Sequence, residues 1–523
     1  MQNWHYAKSA VESGGGIVVS QHRGAAAVGA RILAAGGNAV DAAVATGFAV
    51  GVLEPWMSGI GGGGYMLVAP ADGAPAQCVD FGMVAPAALD PADYPLIGGV
   101  APGSFDWPAV AEDRNLKGPL SVAVPGHVEG MRTASERFGR LAWKDLLAPA
   151  IEIATAGLPI DWFAAFGIAV QARELAEFPE TRRVYLPDGL PPVPNSGEGP
   201  PPRLGLGRLA ATLARIAQAG ARDFYEGEIA AAIVAEMRRR DGKLAAADLA
   251  GYRARILPAA VARYRDAEVA APPGLNAGPT LHRTLAMLET SMPQGEAAPG
   301  PAAYAAYASA LDRVYAERFA TMGHQGERAA SASCTTHVSV VDRDGMMVAL
   351  TQTLLSRFGS KLLLADTGIL LNNGIMWFDP RPGRPNSLAG GKRPLSNMVP
   401  TVLRKAGKPW VALGASGGRR ILPAVAQLVS FLVDYRMPLE AALHQPRLDA
   451  SGAGVTLDTR LPDAVARALP PGLAARAGEL GVYPVLFASP NAVARDRATG
   501  RNAGMADIAS PWSGAAAESA AES

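Results

Sequence analysis

The chain has 523 residues and carries 48 Lys and Arg against 47 Asp and Glu, which leaves a formal net charge of +1. Acids and bases are mixed along the sequence, which excludes a basic stripe for nucleic acid and a charged tail that grips a partner. The length exceeds one simple core, so we expect two lobes or an elaborated layered fold. The two cysteines, Cys78 and Cys334, form neither a disulfide framework nor a zinc motif.

The N-terminal part of the sequence contains no predicted signal peptide or membrane span. Residues 1–8 lack a basic region followed by an apolar stretch, so we expect a cytoplasmic protein. The longest apolar run, 42–53, is shorter than the roughly 20 residues that span a bilayer, and Asp41 and Glu54 bound it. We expect a helix at 39–52 that is buried on nearly all faces.

A glycine-rich segment from Gly59 to Gly64 formally contains the GxGxxG pattern of dinucleotide-binding proteins. That pattern binds a dinucleotide where it follows a strand and opens a helix. Here it follows a predicted helix and precedes a predicted strand, so we reject this cofactor site and expect no cofactor. We expect the glycines instead to let the backbone approach another segment or a substrate closely.

The central part of the chain is predicted to be mainly helical between residues 128 and 319. A Pro-rich loop at 186–203 and a strand-like segment at 259–269 interrupt it. The segment from Met322 to Cys334 has few apolar residues, so we expect it to be exposed and suited to cleavage of the chain.

A β-hairpin is predicted immediately after this segment. From Thr336 to Val341 the residues are mostly β-branched and alternate as in a strand. Asp342 to Gly345 have the chemistry of a turn, and residues 346–355 are predicted to form the second strand.

Thr335 stands at the start of this hairpin, where it can act as a nucleophile under one condition. If the chain is cut before it, Thr335 has both a hydroxyl nucleophile and a free α-amine. The reference pKa of an α-amine is about 7.7–8.0, so its neutral form can take the proton of the hydroxyl without a separate histidine. The alternative interpretation is an ordinary strand that begins with two β-branched residues.

A second candidate site is the segment from Gly414 to Gly418, which matches GxSxG with Ser416 at its centre. It lies between a predicted strand and a predicted helix, as the nucleophile of a serine hydrolase does. Asp434 and His444 follow in the chain order of a serine triad, although the region upstream lacks the alternating β-α rhythm of such hydrolases. The glycine N–H groups are equally suited to stabilise an oxyanion, and the plainest interpretation is a tight turn.

The remaining polar features predict no further site. Seven histidines are scattered without an HExxH motif or an i, i+4 pair, so we expect no metal site. His337 alternates with Thr336 and is expected to pack or hydrogen-bond within the sheet. The tail 513–523 is rich in Ala, Ser and Glu, and we expect it to be disordered.

In combination, motifs along nearly the whole chain resemble the γ-glutamyltransferase family. In the second half the resemblance rests on Thr335-Thr336-His337, Asp342-x-Asp344-Gly345, Thr351-x-Thr353, Phe358-Gly359, Gly368-Ile369-Leu370-Leu371-Asn372-Asn373, Lys392-Arg393-Pro394-Leu395-Ser396 and Gly417-Gly418-x-Arg420. In the first half it rests on Gly36-Gly37-Asn38-Ala39-Val40-Asp41-Ala42, Gly61 to Gly64 and Pro125-Gly126.

The resemblance implies an α+β fold, a four-layer αββα sandwich of the N-terminal-nucleophile hydrolase type. It implies that the precursor cuts itself between Cys334 and Thr335. Residues 1–334 would form a large subunit and residues 335–523 a small one. The expected assembly is a heterodimer of the two, or a dimer of such pairs, with no nucleic acid and no membrane as partner.

The resemblance also implies the roles of individual residues. Thr335 would be the nucleophile, and its freed amine would be the base. Thr353 would hold the amine or the hydroxyl of the nucleophile, and Gly417 and Gly418 would stabilise the oxyanion. On this view the GxSxG segment needs no serine triad.

The substrate pocket departs from the family pattern. The segment Asp80-Phe81-Gly82 lacks the arginine that holds a γ-glutamyl carboxylate, and Leu355 replaces an asparagine. The acid that binds the ammonium of the substrate is replaced by Trp377, and of two paired serines Ser396 remains while the second is Asn397. A buried ammonium without its carboxylate costs several kcal/mol, so we expect glutathione and other γ-glutamyl amides to bind poorly.

We therefore expect a small carboxylate-bearing amide as substrate, because a guanidinium suits a small carboxylate. The pattern is similar to the oxamate amidohydrolase branch of the family, which makes oxamate, hydrolysed to oxalate and ammonia, the best candidate. The expected substrate-binding residues are Arg357, Asn373, Trp377, Ser396, Asn397 and Arg419. The alternatives are a γ-glutamyltransferase or glutathione hydrolase, a serine hydrolase that uses Ser416, and a binding protein without catalysis.

Overall fold

The structure is a computed structural model that describes residues 6–101, 107–195, 197, 199–322, 334–481 and 486–519. Within these ranges the strands are β1 Val11–Ser13, β2 Ile17–Ser20, β3 Gly63–Ala69, β4 Gln77–Phe81, β5 Leu96–Val100, β6 Pro108–Val110, β7 Leu158–Pro159, β8 Arg203–Leu204, β9 Arg255–Pro258, β10 Ala260–Tyr264, β11 Ala267–Ala271, β12 Cys334–Val341, β13 Met347–Leu355, β14 Thr401–Lys405, β15 Lys408–Ser416, β16 Leu448–Asp449, β17 Val455–Asp458, β18 Ala475–Gly478, β19 Ser489–Arg495, β20 Asn502–Ala506 and β21 Gly514–Ala517.

The α-helices in the same ranges are α1 Arg23–Ala34, α2 Ala39–Leu53, α3 His127–Phe138, α4 Trp143–Ala156, α5 Trp162–Ala169, α6 Ala172–Ala176, α7 Pro179–Tyr185, α8 Leu209–Ala219, α9 Asp223–Glu226, α10 Glu228–Arg239, α11 Ala246–Gly251, α12 Gly278–Ser291, α13 Pro301–Thr321, α14 Ile421–Val433, α15 Leu439–His444 and α16 Asp463–Ala468. None of these helices combines the length and the apolar character needed to cross a membrane.

Two seven-stranded sheets form the centre of the molecule. Sheet I has the order β21-β2-β12-β13-β3-β4-β9, and sheet II has the order β1-β20-β19-β15-β14-β11-β10. Every neighbouring pair in both sheets is antiparallel. Helices and antiparallel sheets therefore coexist in one fold, which confirms the predicted α+β class.

Three hydrophobic clusters hold the sheets and helices together. One lies between the sheets and includes Ile17 and Met347 of sheet I and Val402 of sheet II. A second joins sheet I to α1, α2, α4 and other helices of the first half, and a third joins sheet II to α12, α13 and α14. Each sheet thus buries both of its faces.

Helix α2 is entirely buried, as its apolar sequence predicts. Its N-terminus is capped by Asn38, whose side chain accepts hydrogen bonds from Val40 N (2.9 Å) and Asp41 N (3.1 Å). Its last turn is closed by the Glu54 N–H, which donates to Val50 O (2.8 Å), and Pro55 follows. Because α2 packs on β12 and β13, this C-terminal end lies close to the start of the hairpin.

The hairpin predicted from residue 336 to residue 355 is confirmed by β12 and β13. Along β12 the side chains alternate: Val338 and Val340 belong to the helix-side core, whereas His337 hydrogen-bonds Thr351 Oγ1 (2.8 Å) and Ser339 Oγ (3.1 Å). Burial lowers the pKa of His337 to about 3, so the ring is neutral at physiological pH. His337 hydrogen-bonds within the sheet, as its place in the alternating pattern predicts.

The predicted disorder of the tail 513–523 is wrong for residues 514–517, which form β21. This strand pairs with β2 from Ile17↔Ala517 to Ser20↔Gly514. The Glu518 carboxylate then accepts a hydrogen bond from Gly16 N (2.7 Å) and forms an ion pair with Arg343. The sequence did not predict this strand because Ala has a low strand propensity. The strand forms through its backbone hydrogen bonds with β2, which do not depend on its side chains. Residues 520–523 lie outside the described residues.

Candidate active site

The predicted cleavage site lies at the first residues of β12, in the middle of sheet I. Cys334 is 6 % exposed and Thr335 is 2 % exposed. The expected exposure of the segment that ends at Cys334 is therefore wrong for Cys334 itself, since this residue already belongs to the strand. Met322 at the other end of the segment is half-buried, and residues 323–333 between them lie outside the described residues.

The carbonyl group of the Cys334–Thr335 peptide bond is held by Thr353. The Thr353 hydroxyl donates a hydrogen bond to Cys334 O. The Thr353 oxygen in turn accepts a hydrogen bond from Leu355 N (2.8 Å). In this uncleaved chain Thr353 therefore binds the bond that would be cut, a contact that sequence reasoning did not predict for it.

The two strands of the hairpin lose their regular pairing at this bond. Cys334 pairs with Leu355 and Thr336 pairs with Gln352, so one residue of β12 faces two residues of β13. Leu355 has a φ of 85°, a left-handed conformation that is rare for a bulky residue. Strain of this kind clusters at functional sites, and here it lies opposite the predicted cleavage site.

The glycine-rich segment packs directly behind this part of β13. A Cβ atom at Gly62 would lie 2.2 Å from Thr353 O, and one at Gly64 would lie 2.2 Å from Thr351 O. No side chain fits at these distances, so the glycines let β3 and the segment before it approach β13. This confirms the prediction that the glycines serve a close backbone approach.

A cavity of about 70 Å³ opens beside Cys334. Its wall contains both aromatic side chains and charged groups, namely two arginines and a carboxyl group. The cavity wall includes Gln21, Glu54, Trp56, Phe163, Cys334, Arg357, Ser416, Gly417, Arg420 and Trp512.

Gly417 brings the turn between β15 and α14 to this cavity. Its φ is 135°, and a Cβ atom there would lie 2.9 Å from Ala488 Cα, so the position requires glycine. Gly418 follows with a φ of 63° and begins the short 3-10 helix that leads into α14. Gly417 and Cys334 thus line the same cavity, and the oxyanion role of Gly417 and Gly418 stays a prediction.

Glu54 carries a carboxyl group into the cavity from the end of α2, and sequence reasoning missed it. The residue is 1 % exposed, and Glu54 Oε2 has no hydrogen-bond partner among the described residues. Burial, with a further contribution from the Asp161 carboxylate, raises the pKa of Glu54 to about 8. The Thr336 hydroxyl beside it acts in the opposite direction but does not complete a hydrogen bond.

Two arginines line the cavity, and only one of them was predicted to bind substrate. Arg357 lies beside the Cys334 thiol, whose pKa burial raises while the guanidinium acts in the opposite direction. Arg420 is the second. Burial lowers the pKa of Arg420, and Asp449 opposes this effect. In the sequence, Arg420 is the last residue of the motif Gly417-Gly418-x-Arg420, on which the family resemblance partly rests.

Of the other predicted substrate-binding residues, Asn373 and Trp377 lie away from the cavity wall. Asn373 Nδ2 donates to Leu116 O (2.8 Å) and Ser356 Oγ (2.6 Å), so it anchors the segment just before Arg357. Trp377 is 4 % exposed and belongs to the core between the sheets. Their role in substrate binding stays a prediction.

Ser396, Asn397 and Arg419 also lie outside the cavity wall. Ser396 Oγ accepts a hydrogen bond from Met398 N (3.2 Å), and Asn397 is half-buried. The Arg419 guanidinium lies over the Phe319 ring, 4.8 Å from its centroid, near the end of α13. These three residues are not among those that line the cavity, and their role in substrate binding stays a prediction.

The serine-triad alternative is wrong for this geometry. Ser416 Oγ accepts a hydrogen bond from Gln21 Nε2 (2.6 Å). Asp434 follows the far end of α14, whose 13 residues span roughly 20 Å, and it pairs with Arg265 (2.9 Å). The His444 ring hydrogen-bonds a backbone carbonyl one turn earlier in its own helix (2.8 Å). The three residues therefore do not form a chain of hydrogen bonds.

We expect Ser416→Ala to keep self-cleavage and to lower amidase activity by less than about tenfold, because the change removes only the hydrogen bond from Gln21. The measurement is cleavage on a denaturing gel and kcat/KM for an amide substrate. A loss of about 10³-fold or more, the size expected for a nucleophile, would restore the serine alternative.

The described residues contain no group of three or more His, Cys, Asp or Glu side chains arranged to hold a metal ion.

Comparison with known proteins gives one consistent result. Residues 25–333 and 322–517 match the family described as Gamma-glutamyltranspeptidase. The chain is 33% identical over 491 residues to the Acylase ACY 1 proenzyme of Pseudomonas sp. (strain SE83), covering 87% of this chain and 86% of the relative. It is 30% identical over 544 residues to the Glutathione hydrolase proenzyme of Bacillus subtilis (strain 168), covering 94% and 90%.

Solved structures agree with these relatives. The cephalosporin acylase from Bacillus halodurans matches with a TM-score of 0.84 and 25% identity, over 99% of this chain and 98% of that chain. The protein is thus an enzyme, a self-processing N-terminal-nucleophile amidohydrolase that acts on C–N bonds. The chain belongs to the γ-glutamyltranspeptidase family.

Proposed function

We propose that the enzyme uses Thr335 as its N-terminal nucleophile and hydrolyses a carboxylate-bearing amide through an acyl-enzyme. The observation that carries the proposal is the hydrogen bond from the Thr353 hydroxyl to the Cys334 carbonyl. It polarises the peptide bond that must break to free the amine of Thr335. The carbonyl carbon and the Thr335 hydroxyl belong to adjacent residues, so the attack is intramolecular.

After cleavage, the α-amine of Thr335 takes the proton of its own hydroxyl as the oxygen attacks the substrate amide. The tetrahedral intermediate carries its negative charge on the former carbonyl oxygen, which the N–H groups of Gly417 and Gly418 stabilise. The amine returns the proton to the leaving nitrogen. Water then hydrolyses the ester on Thr335 with the same amine as base.

We propose that the fold is a four-layer αββα sandwich, which the cut would divide into a large subunit, 1–334, and a small subunit, 335–523. The packing of helices on the outer faces of both sheets supports this layering. The relatives support the assembly, because they are proenzymes. We propose a heterodimer of the two subunits as the mature form.

The charges of the cavity support an anionic acyl group as substrate. Arg357 and Arg420 both line it, and a guanidinium binds a carboxylate with paired hydrogen bonds. The volume of about 70 Å³ suits a small molecule in the uncleaved chain, since one water needs about 10–15 Å³ on this measure. Oxamate, the substrate expected from the sequence, is the smallest amide of this kind.

A second candidate substrate is an amide with a longer acyl chain that also ends in a carboxylate. Trp56, Phe163 and Trp512 form an apolar side of the cavity, and the Phe163 and Trp512 rings stack at 3.2 Å between centroids. Oxamate has no apolar part that such a wall would bind. The similarity to acylases favours this longer substrate, whereas the similarity to glutathione hydrolases keeps γ-glutamyl amides as a third substrate class to assay.

The test is a denaturing gel of the purified protein, with N-terminal sequencing of the smaller band. We expect a fragment that begins Thr-Thr-His-Val, and a covalent adduct on Thr335 by mass spectrometry after incubation with a slowly released acyl amide. A single uncut chain with amidase activity would contradict the proposal. Parallel assays of oxamate, longer carboxylate-bearing amides and a γ-glutamyl anilide rank the substrate classes.

We expect Arg357→Met to raise KM for a carboxylate-bearing amide by about 10–100-fold, because one charge-assisted pair contributes about 1.5–3 kcal/mol. The matched substrate is the corresponding neutral amide, for which KM should change by less than about threefold. Arg357→Lys keeps the charge and should lie between the two. Equal changes in KM for the charged and the neutral amide would show that Arg357 does not bind the carboxylate of the substrate.

A further inference from the structure

The self-cleavage step poses a problem of proton transfer that the mature enzyme does not have. In the mature enzyme the α-amine of Thr335 is the base. In the uncut chain that nitrogen belongs to the peptide bond with Cys334, and an amide nitrogen is not a base near neutral pH. The first attack by Thr335 on the Cys334 carbonyl therefore needs a different proton acceptor.

Few cavity groups can accept a proton. Arg357 and Arg420 are cationic, and burial keeps the Cys334 thiol protonated by raising its pKa. Among the described residues that line the cavity, Glu54 alone has a side chain that can serve as a base near neutral pH. Its carboxyl group is buried, and Glu54 Oε2 has no hydrogen-bond partner among the described residues.

We propose that Glu54 is the proton acceptor of self-cleavage, taking the proton of the Thr335 hydroxyl when that oxygen attacks the Cys334 carbonyl. This inference rests on the proposed function of Thr335. The Oγ–C bond forms, the C–N bond of the peptide breaks, and Glu54 passes its proton to the leaving nitrogen of Thr335. Water then hydrolyses the ester, which leaves a carboxylate on Cys334 and frees the hydroxyl of Thr335.

The position of Glu54 matches this role. Glu54 lines the same cavity as Cys334, whose carbonyl is attacked, and it follows the last residue of α2, which packs on β12, the strand that begins with Cys334 and Thr335. It is also rigidly placed, since its backbone N–H closes α2 and its carbonyl accepts a hydrogen bond from Met57 N (2.8 Å). These backbone contacts are independent of the carboxyl group, so Glu54→Gln removes the base and leaves them in place.

The charged groups around Glu54 set the pH at which it can act. Asp161, at the start of α5, raises the pKa of Glu54 by its negative charge, and Cys334, Arg357 and Arg420 line the same cavity as Glu54. The pKa of about 8 means that the ionised, basic form increases tenfold per pH unit below pH 8 and levels off above it. The rate of self-cleavage should follow this fraction.

The experiment follows cleavage of the full chain made by cell-free synthesis at about pH 6 and then transferred to buffers from about pH 6 to pH 9.5. Band conversion on a denaturing gel gives the rate, and N-terminal sequencing checks the cut. We expect the wild-type rate to rise and level off near pH 8. Glu54→Gln should be at least about 50-fold slower at that pH without levelling off, and Glu54→Asp should recover part of the rate.

Asp161→Asn is the matched control, since this side chain does not line the cavity and caps α5 by accepting from Ala164 N (2.8 Å), which Asn also can do. It should cleave fully, with its midpoint shifted to lower pH because a negative charge near Glu54 is removed. Melting curves check that each variant folds.

If a folded Glu54→Gln protein cleaves itself at the wild-type rate and with the wild-type pH profile, the inference is overturned. The proposal that Thr335 is the nucleophile would still stand. If Glu54→Gln fails to fold, the profiles of Glu54→Asp and Asp161→Asn decide, and midpoints identical to wild type overturn the inference. A wild-type chain that is never cut at Cys334–Thr335 would instead contradict the proposed function itself.

Discussion

Thr335→Ala should remain a single uncut chain and lose amidase activity by at least about 10³-fold. The substitution removes the hydroxyl that attacks both the Cys334 carbonyl and the substrate, so two reactions fail through one atom. The buried residue changes only from Thr to Ala in a strand, and the sheet should still form. The measurements are the gel pattern, the melting temperature and kcat/KM on the best amide.

Thr335→Ser is the matched control, because it keeps the hydroxyl and loses one methyl group. It should cut itself and retain activity within roughly 10–100-fold of the wild type. Normal turnover by the folded, uncut Thr335→Ala protein would show that another group is the nucleophile. Activity confined to the wild type and the Thr335→Ser variant would support a nucleophilic hydroxyl at the start of β12.

Thr353→Val should slow self-cleavage by about 10²-fold or more. The replacement has nearly the same shape but cannot donate the hydrogen bond to Cys334 O. Removing one donor to a developing oxyanion costs about 10²–10³-fold in rate. The variant also leaves Leu355 N without its acceptor, which should lower the stability of the fold by about 1–3 kcal/mol.

Thr351→Val is a control on the same face of the same strand. It removes the hydrogen bond between Thr351 Oγ1 and His337 (2.8 Å), with a comparable loss of stability, but it does not touch the scissile carbonyl. We expect it to cleave at close to the wild-type rate. Equal cleavage rates for the two valine variants would mean that Thr353 acts on stability alone.

The parts of the structure that sequence could predict are those fixed by neighbouring residues. The β12–β13 hairpin follows from alternation and a turn, and the segment from β15 to α14 follows from an apolar strand, a glycine turn and an apolar helix. The burial of α2 follows from a run of almost entirely apolar residues. In each case a short stretch of sequence carries the whole signal.

The parts that sequence missed depend on contacts between distant residues. Glu54 served only to mark the end of an apolar run, and its place beside Cys334 depends on how α2 packs against β12. The strand β21 has a weak sequence, and its partner β2 lies almost 500 residues earlier. Trp377 is predicted from the sequence to bind substrate, but the sequence alone did not place its side chain in the inter-sheet core.

The order of strands in the two sheets determines what the cut can do to the molecule. Residues before the proposed cut at Cys334–Thr335 supply β2, β3, β4 and β9 to sheet I and β1, β10 and β11 to sheet II, and residues after it supply the rest apart from Cys334, the first residue of β12. Strands of the two origins are neighbours in both sheets, for example β2–β12, β3–β13 and β11–β14. We therefore expect a cut at the proposed Cys334–Thr335 bond to leave two chains that share one core and stay together on dilution.

Because strands of the two chains would alternate in both sheets, we expect that the mature enzyme cannot refold readily once it has unfolded. Before the cut, the two halves meet as parts of one polymer, and the entropy of joining them is that of closing a loop. After such a cut, an unfolded enzyme would be two separate molecules with incomplete sheets and exposed apolar strands, which we expect to aggregate more readily than they reassemble. We therefore expect the unfolding rate of the mature enzyme to determine how long it stays active, because the continuous chain that folded first would no longer exist.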